Sequence, residues 1–365
     1  MKANFHLREL CALLLALPAL VAAQVNLAPA FFTSTDFLAG HGNQARLQSL
    51  EKVEARLTAH FGNGRVVAID AGVTGGQSIS GIVGDAQGVS NIEAPGAVKI
   101  YNLFYEMPLG SNGNVRAGIL DLNGIFYQQG RAAAIFLNSS HGVGPEFSHS
   151  GLNGPSIFPN SSLGVATEKN FGGATVRLGA FDAVPNDPAA PGRTALHLFN
   201  KGALLDAEVS SEKLSAGIWS YTSNFAKLDG SGNARGNSGV YATAQWLPSK
   251  SSAGWVTIGR SSATFNDINS YVGGGFAMLV DRYAVGVAVA SAGFSDGRRR
   301  ETNIEFAVPI QLKGGFSLQP DLQMIAHPSG GTGRAWVAGV QLHFVFEPPN
   351  RDVPFVRRKR ADRLL

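Results

Sequence analysis

The sequence predicts an all-β fold, a transmembrane antiparallel β-barrel of about sixteen strands. Three observations predict it. First, 44% of residues are hydrophobic and only 15% are charged, below the usual quarter or so. Yet beyond residue 23 no apolar run reaches the roughly eighteen residues of a spanning helix. Second, apolar and polar residues alternate over runs of about ten to thirteen residues. That exceeds the usual strand of a soluble sheet and matches a tilted strand crossing a bilayer. Third, tight turns such as Lys313-Gly314-Gly315 and Asp281-Arg282 alternate with long connections at 139–160, 183–193 and 228–237. Barrels have such short turns at one end and longer loops at the other. A soluble periplasmic β-sandwich also alternates; strand length separates the two.

The chain opens as a secretory signal, residues 1–23. Lys2 and Arg8 precede the apolar run Leu10 to Val21, and Val21-Ala22-Ala23 supplies the small residues for cleavage before Gln24. The single cysteine, Cys11, lies in that signal, so disulfides and thiol catalysis are excluded from the mature chain. In the N-terminal segment 24–62, residues 24–43 read as irregular. Asn43 to Phe61 reads as a short helix, because Leu47, Leu50, Val53, Leu57 and Phe61 recur at steps of three and four and Gly62 stops the run. The barrel is expected over 63–346. Its candidate strands are 65–73, 97–107, 115–122, 131–139, 161–169, 173–181, 194–199, 203–210, 212–223, 237–247, 253–264, 270–280, 283–292, 300–312, 314–325 and 334–346. Alternation is clearest in the last: Trp336, Ala338, Val340, Leu342, Phe344 and Phe346 oppose Val337, Gly339, Gln341, His343 and Val345. A slip of one residue would invert both faces. The Pro348-Pro349 pair ends this strand and leaves a basic tail, 347–365. That tail reads as a solvated charge block with anionic lipid as the alternative partner.

The formal charge of +4 belongs to the ends of the chain: residues 24–346 are balanced. Nucleic-acid binding therefore has no support. Nor does catalysis or a cofactor. Ser210-Ser211-Glu212-Lys213 fits S-x-x-K without the companion triplets of that chemistry. Asp229 to Asn233 begins like a calcium loop, but Ala234 and Val240 stand where Gly and Glu are needed. The histidines of the mature chain show no metal-binding pair, and without cysteine no zinc site is expected.

The long connection after Asp121 has a composition of its own. Gly142, Gly144, Gly151 and Gly154 permit positive φ, and Pro145, Pro155 and Pro159 fix it. A connection of this length in a β protein is usually functional. Leu137 to Gly164 reads LNSSHGVGPEFSHSGLNGPSIFPNSSLG. With Val89 to Pro95, Ile100 to Glu106, Arg116 to Asn123, and Phe199 to Leu204 with Glu208, it resembles the carbohydrate-selective porins of the bacterial outer membrane. The blocks keep family order over roughly 65–346. The resemblance implies a monomeric sugar channel that meets outer-membrane lipid, lipopolysaccharide and the barrel assembly machinery. The chain departs from it at Leu152, where members commonly carry Arg, and at the residues following the terminal aromatic Phe346.

Strand phase then nominates Glu106, Arg116, Arg177, His197, Glu208 and Glu305 as inward-facing residues of a sugar path, since charges facing lipid are costly. They suit the hydroxyls of neutral solutes, and equally they could pair across the lumen to neutralise one another. The 139–160 loop is expected to fold into the mouth as a constriction, with His141, Glu146, His149 and Asn153 available for hydrogen bonds to sugar or backbone. The sequence-level function is passive sugar diffusion. Alternatives are a porin of the same fold for other solutes and a secreted carbohydrate-binding β-sandwich.

Overall fold

The computed structural model describes residues 25–187, 189–194 and 196–347. The expected signal 1–23 and most of the basic tail lie outside these residues. The strands are β1 (Val25–His41), β2 (Ala45–Phe61), β3 (Val66–Gly76), β4 (Ala97–Pro108), β5 (Gly113–Leu120), β6 (Ser162–Phe171), β7 (Ala174–Asp182), β8 (Ala203–Ser210), β9 (Leu214–Tyr221), β10 (Ser238–Ser249), β11 (Ser252–Ser261), β12 (Ile268–Val280), β13 (Tyr283–Phe294), β14 (Glu301–Ala307, resuming at Ile310–Gln311), β15 (Phe316–Ala326) and β16 (Arg334–Phe346). Pro309 lacks a backbone donor, so the β14 ladder lapses there and resumes. Each strand pairs antiparallel with its neighbour in sequence, and β1 pairs with β16 from Phe31↔Phe346 to His41↔Trp336. That pairing closes the barrel and removes its edges.

Alternation follows from the two solvents. Val240, Ile258, Val272, Val287, Phe306, Leu322 and Leu342 are exposed on the outer surface, where hydrocarbon replaces water. Phe31, Phe316 and Phe344 cluster at the short-turn end, with ring centroids 6.4 and 4.6 Å apart. Aromatic rings of this kind sit at membrane interfaces.

Four sequence expectations are corrected. Within the expected helix 43–61, residues 45–61 form strand β2, and 25–41 form β1 rather than irregular chain. The barrel therefore begins at Val25 and not near residue 63. Residues 131–139 form no strand: they carry 3-10 turns at Ala132–Ile135 and Ser139–His141. The described residues of 194–199 are turns in the β7–β8 loop. Two strands missed and two invented leave the total unchanged.

The lumen is filled from one end. The β3–β4 loop (77–96) and the β5–β6 loop (121–161) both fold inward. The first packs Ile79, Ile82, Val83 and Val89 against Leu38, Leu50, Ile325 and Val337. The second packs Phe126, Tyr127 and Phe147 against Phe181, Leu204, Trp219 and Tyr241. Its 132–136 turn lies on Ala253, Trp255, Ala277, Ala284, Ala288 and Ala307. Small alanines on this inward wall leave the depth that the loop occupies.

Candidate solute path

Loop backbone buried in a barrel needs partners for its N–H and C=O groups, and inward side chains supply them. Glu305, 0% exposed, accepts from the backbone N–H of Leu137 at 2.5 Å and Asn138 at 3.0 Å. Glu208 accepts from Tyr127 N–H and Tyr241 O–H, both at 2.9 Å. Gln319 donates to Ile135 C=O at 2.7 Å, and Tyr271 donates to Ser140 C=O at 2.8 Å. Lys99 grips the far end of the loop through Pro159 C=O and Asn160 Oδ1, both at 2.8 Å. The shorter loop is held by Asp36, which accepts from Ser90 at 2.6 Å, and by Gln323, which donates to Val89 C=O at 2.9 Å.

The nominated loop residues divide accordingly. Glu146 is 0% exposed; its carboxyl accepts from Tyr127 O–H at 2.6 Å, and burial pushes it up to about 7 against that bond. Gly259 makes the seat, because a Cβ there would fall on Glu146 Oε1 and the Tyr127 hydroxyl. His141 lies between Phe136 and Trp255, at 5.2 and 5.7 Å between centroids. Burial pushes it down to about 3, so its 3.7 Å approach to Glu305 is that of a neutral ring. Both residues serve the docked loop. All but Glu146 border the open lumen, but His141 is buried, whereas His149 is exposed to it and Asn153 partly so.

With the β11–β16 side largely covered, open space runs past β2–β10. A cavity of about 1240 Å³ extends from the loop end (Ser80, Asp85) to the short turns near Lys213. A second, of about 760 Å³, lies against β1–β5 and reaches the turn at Gly64. The two share Lys52, Ile92, Asp121 and Phe158 in their walls. Lys52, Glu54, Arg56 and Thr58 point inward at two-residue steps along β2. Lys52 pairs with Glu54 at 2.7 Å, and Arg56 with Asp70 on β3 at 2.7 Å. Glu106 and Arg116, register partners on β4 and β5, are 2.5 Å apart. Arg177 bridges Glu168 and Glu208 at 2.6 Å each. Three cations of β2–β5 cover aromatic faces: Lys52 lies 4.3 Å from the Phe158 centroid, Arg56 5.1 Å from Phe32 and Arg116 4.6 Å from Phe104. Cations over rings are mutually attractive.

His197 departs from its expected place. It lies in the β7–β8 loop and not on an inward strand face, with its N–H on Asp182 at 3.2 Å and Nδ1 2.7 Å from Val184 C=O. Sequence reasoning missed Lys52, Glu54, Arg56 and Asp70, although polar residues alternate with Val53, Ala55, Leu57 and Ala59 from residue 52 onward. Among the described residues no cluster of three or more His, Cys, Asp or Glu is placed to hold a metal ion, and no helix is long and apolar enough to cross a membrane.

The family model of the carbohydrate-selective porins, OprB family, matches residues 45–271 and 272–346. The chain belongs to that family. The OprB-family barrel is also similar to solved porin structures. Against the high-pH structure of Pseudomonas putida OprB the TM-score is 0.74 at 14% identity, covering 90% of this chain and 96% of that one. Against a mutant of the Rhodopseudomonas blastica porin it is 0.55 at 13% identity, covering 88% and 100%. At such identities the likeness is one of fold. No curated protein matches the sequence. As a member of the OprB family, the protein is a bacterial outer-membrane porin for the passive diffusion of carbohydrates, a channel crossed by strands.

Proposed function

We propose that the sugar path of this porin follows the β2–β5 sector. Lys52, Arg56 and Arg116, with Glu54 and Glu106, exchange hydrogen bonds with sugar hydroxyls, Asp70 holds Arg56 in place, and Phe32, Phe104 and Phe158 offer ring faces. The observation that carries this reading is a division of labour. Glu305 spends both oxygens on loop backbone, and Glu208 divides its own among the Tyr127 N–H, the Tyr241 O–H and Arg177, whereas the β2–β5 charges border open space. Paired charges of both signs suit a neutral polyhydroxy solute, which can borrow a donor and an acceptor at once without bringing net charge. His149 and Asn153 act from the loop side. No reaction step is involved. The conduit lies inside one chain, so a single copy suffices for the path.

Swelling of liposomes containing the purified barrel, in graded sugars and amino acids, tests the reading. Arg56→Ala and Arg116→Ala should each alter the ratio of sugar to amino-acid rates. Unchanged ratios for both variants, with folded barrels by heat-modifiable migration on gels, would place the path elsewhere.

A further inference from the structure

The outer wall of the barrel carries a basic cluster where the apolar band stops. On β13, β14, β15 and β16 the register aligns Val289, Ile304, Met324 and Trp336 in one outward row. Val289, Ile304 and Trp336 are 42%, 38% and 45% exposed. One pleat nearer the long-loop end, the outward row changes character to Ser291, Thr302, Ala326 and Arg334. Just above, the exposed Arg300 folds back over Gly293. Its Nε donates to Ser291 Oγ at 3.0 Å, Nη1 to Ser270 Oγ at 2.9 Å and Nη2 to Ser291 C=O at 2.7 Å. A Cβ on Gly293 would fall on that guanidinium, so the glycine makes its slot. Neighbouring Arg298 is neutralised by Asp267 and Asp296. Arg300 makes no ion pair among the described residues; Arg299, next in the chain, is exposed, and so is Arg334, further along the same rim on β16.

A guanidinium fixed on the lipid-facing surface by three neutral acceptors, with no carboxylate, lacks a counter-anion. Arginine carries five N–H donors and three are engaged, which leaves two for an incoming group. Its fork fits phosphate, and the penalty for a charge on the lipid face falls away near the interface. The long loops mark this end as the outer one, so the groups at this depth are headgroups of the outer leaflet. We infer that Arg300 binds a phosphate of an acylated outer-leaflet glycolipid, with Arg299 and Arg334 adding positive charge along the same rim. Ser291, Ser270 and Thr302 line the headgroup contact, and the acyl chains lie along Val289, Ile304 and Trp336.

The test uses the purified full-length barrel, delipidated in detergent, and three probes: lipid A bearing its phosphates, the same lipid dephosphorylated, and inorganic phosphate. Native mass spectrometry reads bound lipid. Wild type should bind phosphorylated lipid A and prefer it to the dephosphorylated form by about tenfold, as expected for a charge-assisted contact. Arg300→Ala combined with Arg334→Ala should lose that preference while sugar-dependent swelling stays at the wild-type rate. Should that variant fail to fold, Arg300→Lys, which keeps charge but loses the fork, should lower the preference alone. Equal binding of the two lipids, full preference in a folded variant, or displacement of lipid A by millimolar inorganic phosphate would each overturn the inference, the last by making this a site for a free anion.

Discussion

Arg56 and Asp70 face each other across β2 and β3, joined through Nη2 at 2.7 Å and Nε at 3.2 Å. Asp70 is only 3% exposed, whereas the Arg56 side chain keeps 25% of its surface open to the lumen. The arginine is therefore the half of the pair that a solute can reach.

Arg56→Ala strands a buried carboxylate. Its expected cost is about 1 kcal/mol, the low end for orphaning a polar group, because lumen water screens the site. Sugar discrimination should fall at the same time. Adding Asp70→Ala should restore part of the stability but not the discrimination. Denaturant titration of the refolded barrel and liposome swelling separate the two effects.

Glu305→Ala removes the acceptor of two buried N–H groups, those of Leu137 and Asn138. Each orphaned group costs roughly 1–3 kcal/mol. The variant should unfold at lower temperature, and its docked loop should loosen, raising single-channel conductance. Conductance identical to wild type would mean that the loop is held without this carboxylate.

The docked loop should respond to pH. Glu146 has a folded-state value raised to about 7 by burial, above the ordinary 4.5. The stability it lends is thus complete below the ordinary value and is lost as pH rises through about 7. Conductance should increase between pH 6 and pH 8. Asp85 in the shorter loop is also pushed up to about 7, by burial and by Glu301, and titrates in the same window. Glu146→Gln, which cannot ionise, isolates the first contribution, and Asp85→Asn isolates the second. His141 stays neutral throughout this window.

Gly259→Ala should lift Glu146 and Tyr127 off the wall, since the new Cβ has no room. Faster proteolytic nicking within 139–160 of the variant would report that displacement, and an unchanged cleavage rate would contradict it.

How far the sequence could be read is seen best at β2. Residues 52–61 alternate as a strand should, but Leu47, Leu50, Val53, Leu57 and Phe61 imitate a helix. The imitation arises at Leu50, which points inward and is 1% exposed. It is apolar only because the 77–96 loop packs on it, a contact that local pattern does not encode. The same cause produced the false strand at 131–139: Ala132, Ile135 and Phe136 are apolar because they lie on the inner wall, where loop backbone replaces water. β16 was legible because its lipid face, Trp336 to Phe346 at every second position, is apolar throughout, whatever packs on its inner face. Glu106, Arg116, Arg177, Glu208 and Glu305 were legible as inward charges, those of β2 and Asp70 were not, and the roles of Glu208 and Glu305 depend on which backbone groups the loops bring to them.

Closure of the ring has a consequence for the order of events in assembly. Ser34 and His343, 309 residues apart in the chain, share a hydrogen bond of 2.8 Å. Most neighbouring strands can find each other as local hairpins, but the seam waits for the last strand, and its chain entropy must be surrendered in one late step. Until then both flanks of the growing sheet present bare backbone that hydrocarbon cannot solvate. Partly inserted forms are thus disfavoured from both sides, and completion of the seam commits the chain to the membrane.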